Sequence, residues 1–238
     1  MRDILLIDDE AASGWAVVLA KVLFPNDKLE SADNRAEAIE KLAAKQYDLI
    51  FLDIRFGEGD HLDLIPVENM VGYKILNEEI RGEFDRKNFT TPVIVFTASN
   101  KVWNIDGMKS VGADAYYCKE HPDQLDVGFS VSNFEKLIKD CNNLYSVGLE
   151  RLRIWSRIKD IVALSEKSIE NKIIQERIFE KLKIGYGLMF REISKFENEK
   201  LLFRNESVAF IVFWSILEEI STDFIPERGC KKNYTIRQ

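Results

Sequence analysis

Four short apolar runs and a fifth, more polar strand segment alternate with amphipathic stretches over the first half of this chain. Residues 3–8, built around Ile4-Leu5-Leu6-Ile7, read as a buried strand by their length and flanks. Residues 28–32, 48–52, the run opened by Pro92 and residues 114–117 read as four more. Between them apolar residues recur at helical spacing. Trp15, Val18, Leu19, Val22 and Leu23 do so within 11–23; Ala36, Ile39, Leu42 and Ala43 follow, with Asp33 or Asn34 as a cap. Ile75, Leu76 and Ile80 mark a helix over 72–85. Val102, Ile105, Met108 and Val111 mark another, capped by Ser99 or Asn100 and ended by Gly112. Short strands separated by helical segments predict a parallel sheet covered on both faces.

Beyond residue 131 the pattern is helical, with no convincing strand. Phe134, Leu137, Ile138, Cys141, Leu144 and Tyr145 are followed, past Ser146-Val147-Gly148, by Leu149, Leu152, Trp155, Ile158 and Val162. Either two helices meet at Gly148, or one long helix carries the glycine at a cost of about 1 kcal/mol relative to alanine. Further helices fit 168–183, 186–198 and 206–222. Gly185-Tyr186-Gly187 reads as a break, and Asn205-Glu206-Ser207 as a helix start. The expected organisation is an α/β domain over 1–130 followed by an all-α bundle or set of helical hairpins over 131–238.

Charge separates the same two regions. Residues 1–130 hold 14 Lys+Arg against 24 Asp+Glu, and residues 131–238 hold 19 against 16, which together make the net charge of −7. The acidic part does not suit nucleic acid, and the second part interleaves its charges, so no DNA footprint is expected. The longest apolar stretch, Val208 to Leu217, is too short to span a bilayer. The chain opens directly on a strand, and three cysteines (Cys118, Cys141, Cys230) lack metal-ligand spacing, so a cytoplasmic protein is expected. With 46% hydrophobic and 31% charged residues the composition is that of a globular protein.

Candidate chemistry gathers at the C-terminal ends of the predicted strands. Asp8 and Asp9 end the first, Asp53 ends the third, Thr97 the fourth, and Lys119 follows the fifth. In an open parallel sheet those ends share one edge, where sites form. A carboxylate can attack a phosphoryl group and form an acyl phosphate. Three clustered carboxylates repel one another unless a cation sits among them, and Mg²⁺ takes such oxygen ligands. Asp8 and Asp9 are therefore the expected metal ligands and Asp53 the nucleophile and third carboxylate. Lys119 can pair with Asp53 or with phosphate oxygens, and Thr97 can donate a hydrogen bond to one of them.

This set resembles the receiver domain of two-component response regulators over about residues 1–130. Asp9 and Asp53 lie 44 residues apart and Thr97 and Lys119 lie 22 apart, both typical of that family. The resemblance implies a doubly wound, flavodoxin-like five-stranded sheet. It also implies direct Mg²⁺ ligation by Asp9, contact through water for Asp8, and the backbone carbonyl of Arg55 as a further ligand. Asp53 would accept phosphate, and Thr97 and Tyr116 would be the switch pair. It implies a sensor histidine kinase or phosphotransfer protein as partner, and a signalling protein rather than an enzyme.

Two features depart from the pattern. The glycine expected to open the helix after the phospho-acceptor is Gly72, 19 residues beyond Asp53. The intervening loop is long and could shield the site, reshape kinase docking or cover it. Its Glu58, Asp60, His61 and Asp63 read as solvated loop residues. After Lys119, Glu120-His121 precedes Pro122 where the family places proline directly. His121 reads as a surface residue and Cys118 as core packing. Residues 131–238 contain no histidine, zinc spacing or nucleotide loop, so they suggest a partner or homodimer contact. The segment Phe210-Ile-Val-Phe-Trp214 is read as bundle core. A receiver working without phosphate, or an unrecognised enzymatic or DNA-binding output, are the competing readings.

Overall fold

The computed structural model describes residues 1–11, 14–56, 65–83, 85–98, 102–119, 127–193 and 212–218. Five strands form one sheet: β1 (Asp3–Ile7), β2 (Lys28–Ala32), β3 (Leu49–Leu52), β4 (Val93–Thr97) and β5 (Ala115–Cys118). All pairings are parallel and the order is β2-β1-β3-β4-β5. That order is the doubly wound, flavodoxin-like one, with its switch point between β1 and β3.

Period-two alternation splits the strand residues between two cores. Leu5, Ile7, Ile50, Leu52, Val93 and Val95 face one side. Ile4, Leu6, Leu49, Phe51, Ile94 and Phe96 face the other. Helix α2 (Arg35–Ala44), α3 (Val71–Lys74, widening into a π-helical stretch Ile75–Ile80) and α4 (Val102–Ser110) cover the first side, through Ala38, Leu42, Ile75, Leu76, Ile80 and Met108. Helix α1 (Trp15–Val18, continued as π-helical Leu19–Leu23) and α5 (Val127–Ser168) cover the second, through Trp15, Leu19, Leu23, Leu137, Cys141 and Leu144. Each fully buried Leu, Ile or Phe is worth about 1.5–3 kcal/mol, so the two faces together dominate stability. Trp15 meets Phe96 edge-on at 5.0 Å, extending the second core by an aromatic contact.

The predicted caps and boundaries hold with local corrections. Asn34 caps α2, its Oδ1 accepting from the Glu37 N–H at 2.9 Å. Gly112, at φ 96°, adopts the left-handed conformation that ends α4. The first helix begins at Trp15 rather than residue 11. The third ends at Ile80 rather than 85. There Arg81 turns its guanidinium onto the carbonyls of Phe89 and Thr91 (both 2.8 Å), and the chain leaves the helix to meet it. The candidate caps Ser99 and Asn100 lie outside the described residues.

Gly148 sits inside a single helix, α5. A Cβ there would lie 2.7 Å from Pro92 Cδ, so glycine lets the helix approach the start of β4. Leu137, Cys141 and Leu144 of α5 are buried in the second core, and Arg151, further along the helix, is buried too. Chain packing divides the protein into two units, Met1–Arg153 and Ile154–Gln238, and the division falls within α5. Residues of α5 up to Arg151 pack into the first unit, whose compact body therefore extends past residue 130.

In the second unit α6 runs unbroken over Lys172–Ile193, and residues 212–218 are helical. The predicted break at Gly185-Tyr186-Gly187 is absent. Tyr186 is fully buried, its ring 5.1 Å from that of Trp155, and Gly185 lets the Phe213 ring approach to where a Cβ would stand 2.5 Å away. Tertiary packing overrides the local glycine signal. Ile158, Ile178, Leu182 and Ile216 are also buried in this unit. Trp214, expected in the core, is 55% exposed, because the adjacent Phe213 takes the inward position. Phe210, Asn205 and Cys230 lie outside the described residues. No described helix is long and apolar enough to cross a membrane.

Candidate functional site

The C-terminal ends of β1, β3, β4 and β5 bring the predicted residues together. The Asp8 N–H continues the β1–β2 ladder to Ala32 O at 3.0 Å, and the Asp53 N–H continues β3 onto Ile7 O at 2.9 Å. These bonds set the two carboxylates side by side just beyond their strands. Asp8 is fully buried and Asp53 is 7% exposed. The Asp8 Oδ1 accepts from the Glu10 N–H at 3.0 Å, and the Asp53 Oδ1 accepts from the Arg55 N–H at 3.1 Å.

Lys119 enters from β5. Its N–H donates to Thr97 O at 2.8 Å, tying it to the end of β4. Its Nζ lies 2.6 Å from Asp8 Oδ2 and 2.5 Å from Asp53 Oδ2, above the Phe96 ring at 5.4 Å from the centroid. Burial pushes the Asp8 carboxyl above its usual range against the opposing pull of Lys119. Burial alone would depress the Lys119 ammonium, but Asp53 and then Asp8 outweigh it and raise it, so it stays charged. Phe96, which the sequence reading did not single out, floors the lysine; its signal was its place one residue before Thr97 in an alternating strand.

Carboxylate oxygens of Asp8, Asp9 and Asp53 all lie within 4.8 Å of one another. Hard oxygen donors this close fit Mg²⁺ better than a softer transition metal. Arg55, whose carbonyl was expected to assist, is half-buried two residues beyond Asp53. Thr97 is buried at the end of β4. Tyr116 is half-buried and packs against the core on the α4 side, and burial lifts its phenol above the ordinary range, with Cys118 and Asp53 adding to the effect.

Gly72, expected to open the helix after the long loop, is the second residue of α3, one past Val71. Its N–H donates to Ile54 O at 3.1 Å, and a Cβ on it would stand 2.1 Å from Asp53 O, so α3 rests directly on the peptide that follows Asp53. One reading needs correction. Cys118 is exposed rather than core: it is the last residue of β5, an edge strand of the sheet. Glu58, Asp60, His61 and Asp63, and Glu120, His121 and Pro122, lie outside the described residues.

No family model matches this chain, and no curated protein matches it. Solved structures do, over its N-terminal part. A two-component response regulator from Clostridium difficile is 24% identical, the match covering 58% of this chain and 97% of that one with a TM-score of 0.42. The chemotaxis protein CheY4 of Vibrio cholerae is 19% identical over 60% of this chain and 98% of its own, with a TM-score of 0.44. The Thermotoga maritima response regulator TrrA, solved in complex with Mg²⁺ and BeF, is 23% identical over 56% and 99%, with a TM-score of 0.38. These matches are to response regulator receiver domains, and each covers about three fifths of this chain.

Proposed function

We propose that this protein is a phosphoryl-accepting switch of the two-component type, with Asp53 as acceptor. One observation carries the reading: Asp8, Asp9 and Asp53 converge at a sheet edge with the Lys119 ammonium 2.5 Å from Asp53. An Asp53 oxygen attacks the phosphorus of a donor; the new O–P bond forms as the donor's bond to phosphorus breaks, and the leaving group departs with that electron pair. Lys119 then transfers its pairing from the carboxylate to a phosphoryl oxygen, and Thr97 donates its hydroxyl to another. Asp8, Asp9, Asp53 and the Arg55 carbonyl would hold Mg²⁺, which when bound supplies neutralisation of phosphoryl oxygen charge. The donor is a phosphohistidine on a sensor kinase or phosphotransfer protein. The chain is a signalling protein rather than an enzyme acting on a separate substrate. Its output is a contact made by the helical region with a protein partner or a second copy, with Thr97 and Tyr116 reporting the state of Asp53.

The test is intact-protein mass after incubation with a small acyl phosphate and Mg²⁺. A single phosphoryl adduct is expected, lost in Asp53→Asn and without metal. A folded wild-type chain that takes no phosphoryl group from either the small donor or a histidine-phosphorylated carrier would overturn the reading.

A further inference from the structure

After β3 the chain makes a long excursion before α3, and its two described arms meet at their base. The Gly72 N–H bonds to Ile54 O at 3.1 Å, and the Gly72 Cα packs on the Asp53–Ile54 peptide. Along the outgoing arm Ile54 and Phe56 are buried; along the return arm Val67 and Met70 are. All four share a core cluster with Met108 of α4, against which Tyr116 also packs. The return arm also packs closely on α4. A Cβ on Gly107 would stand 2.5 Å from Val67 Cγ1, so Val67 occupies the notch that glycine leaves on the helix. The outgoing arm is gripped by the acceptor itself, because Asp53 Oδ1 takes the Arg55 N–H.

We propose that residues 54–56 and 65–70 form a strap that ties the charge on Asp53 to the seating of α4, an inference that rests on the phosphoryl-accepting reading above. The free carboxylate accepts the Arg55 N–H as an ion, and charge-assisted bonds of this kind are roughly twice as strong as neutral ones. Once one oxygen carries the phosphoryl group, the other becomes the carbonyl of an acyl phosphate and a neutral acceptor. The grip on the outgoing arm weakens in the modified state alone, which supplies the differential interaction that any switch needs. The slack passes through Phe56 and Met70 to Val67, and Val67 loosens in the Gly107 notch. The sequence spends a long insertion at this point and closes it on the acceptor's own peptide, an arrangement that a solvated surface loop does not require.

The experiment is amide hydrogen exchange of α4 in the full chain, with and without the small acyl phosphate and Mg²⁺, alongside intact mass. In adduct-bearing wild type, α4 amides should exchange at least threefold faster than in untreated protein. In Val67→Ala they should be fast already, and modification should add nothing. Gly107→Ala drives a methyl group into Val67 and should unseat it too, while the double variant relieves that clash and provides a folded control. A wild-type adduct with unaltered α4 exchange, or an undiminished response in Val67→Ala, would overturn the strap and leave the phosphoryl reading intact. Absence of any adduct would overturn both.

Discussion

Arg151 Nη2 lies 2.5 Å from Asp114 Oδ1, and both side chains are shut off from solvent. Asp114 immediately precedes β5, the strand that delivers Lys119 to the site, and its other oxygen accepts from the Val93 N–H at the start of β4 at 2.8 Å. One carboxylate thus holds α5 and the starts of both strands that carry Thr97 and Lys119. Removing one partner of a buried pair leaves a charge uncompensated, at a cost of about 3–5 kcal/mol. Arg81, 3.2 Å from Asp114, retains part of the pairing. Arg151→Ala should therefore cost about 3 kcal/mol in urea unfolding, and Asp114→Ala combined with it should cost about 2 kcal/mol less than the sum.

Asp114 and, in a separate cluster, Glu30 set a pH dependence. Burial would raise the Asp114 carboxyl, but Arg151 and Arg81 outweigh it and hold it below the usual range. Glu30, hydrogen-bonded by Lys45, is drawn down to about 2. A carboxyl depressed on folding adds stability that is complete above its unfolded value, about 4, and is lost as pH falls through the folded one. These two carboxyls should make urea midpoints fall below about pH 4. Glu30→Gln should flatten the fall, and an unchanged slope in that variant would exclude Glu30 as a contributor.

Most of this architecture was legible in the sequence because its signals were local. The short strand runs, the Asn34 cap and the turn at Gly112 depend on neighbours in the chain, and the strand ends then placed Asp8, Asp9, Asp53, Thr97 and Lys119 together. The errors lie where packing between distant segments decides. Gly185 and Gly187 look alike in sequence, yet α6 runs through both, with Phe213 against Gly185 and Trp155 against Tyr186. The Arg151–Asp114 pair spans 37 residues and left no periodic trace. Cys118 was misplaced by extending a strand's alternation to its last, exposed residue.

Those glycines give a sharp comparison. In a helix interior Gly→Ala is worth up to about 1 kcal/mol of stabilisation. Gly187 has nothing within 4 Å of a new Cβ, so Gly187→Ala should raise stability by nearly that amount. At Gly148 the methyl would meet Pro92, and at Gly185 the Phe213 ring. Overpacking costs about 1–3 kcal/mol, so both substitutions should be net destabilising despite better helix propensity. Thermal unfolding of the three variants reads the order directly, and a stabilised Gly148→Ala would show that α5 does not approach β4 this closely.

Metal addition should separate the roles of the carboxylates. A ligand at 100 times its Kd stabilises the native state by about 2.7 kcal/mol. Mg²⁺ should therefore raise the unfolding midpoint of wild type, and a chelator should reverse the gain. Asp9→Asn should abolish most of this response with little effect on the metal-free protein, because the buried Lys119 contacts run to Asp8 and Asp53. Lys119→Met should do the opposite. It strips the ammonium from two buried carboxylates, lowers metal-free stability, and makes the Mg²⁺-dependent gain larger than in wild type. Equal Mg²⁺ responses in wild type, Asp9→Asn and Lys119→Met, measured by calorimetry at pH 7, would show that the ion binds somewhere other than these three carboxylates.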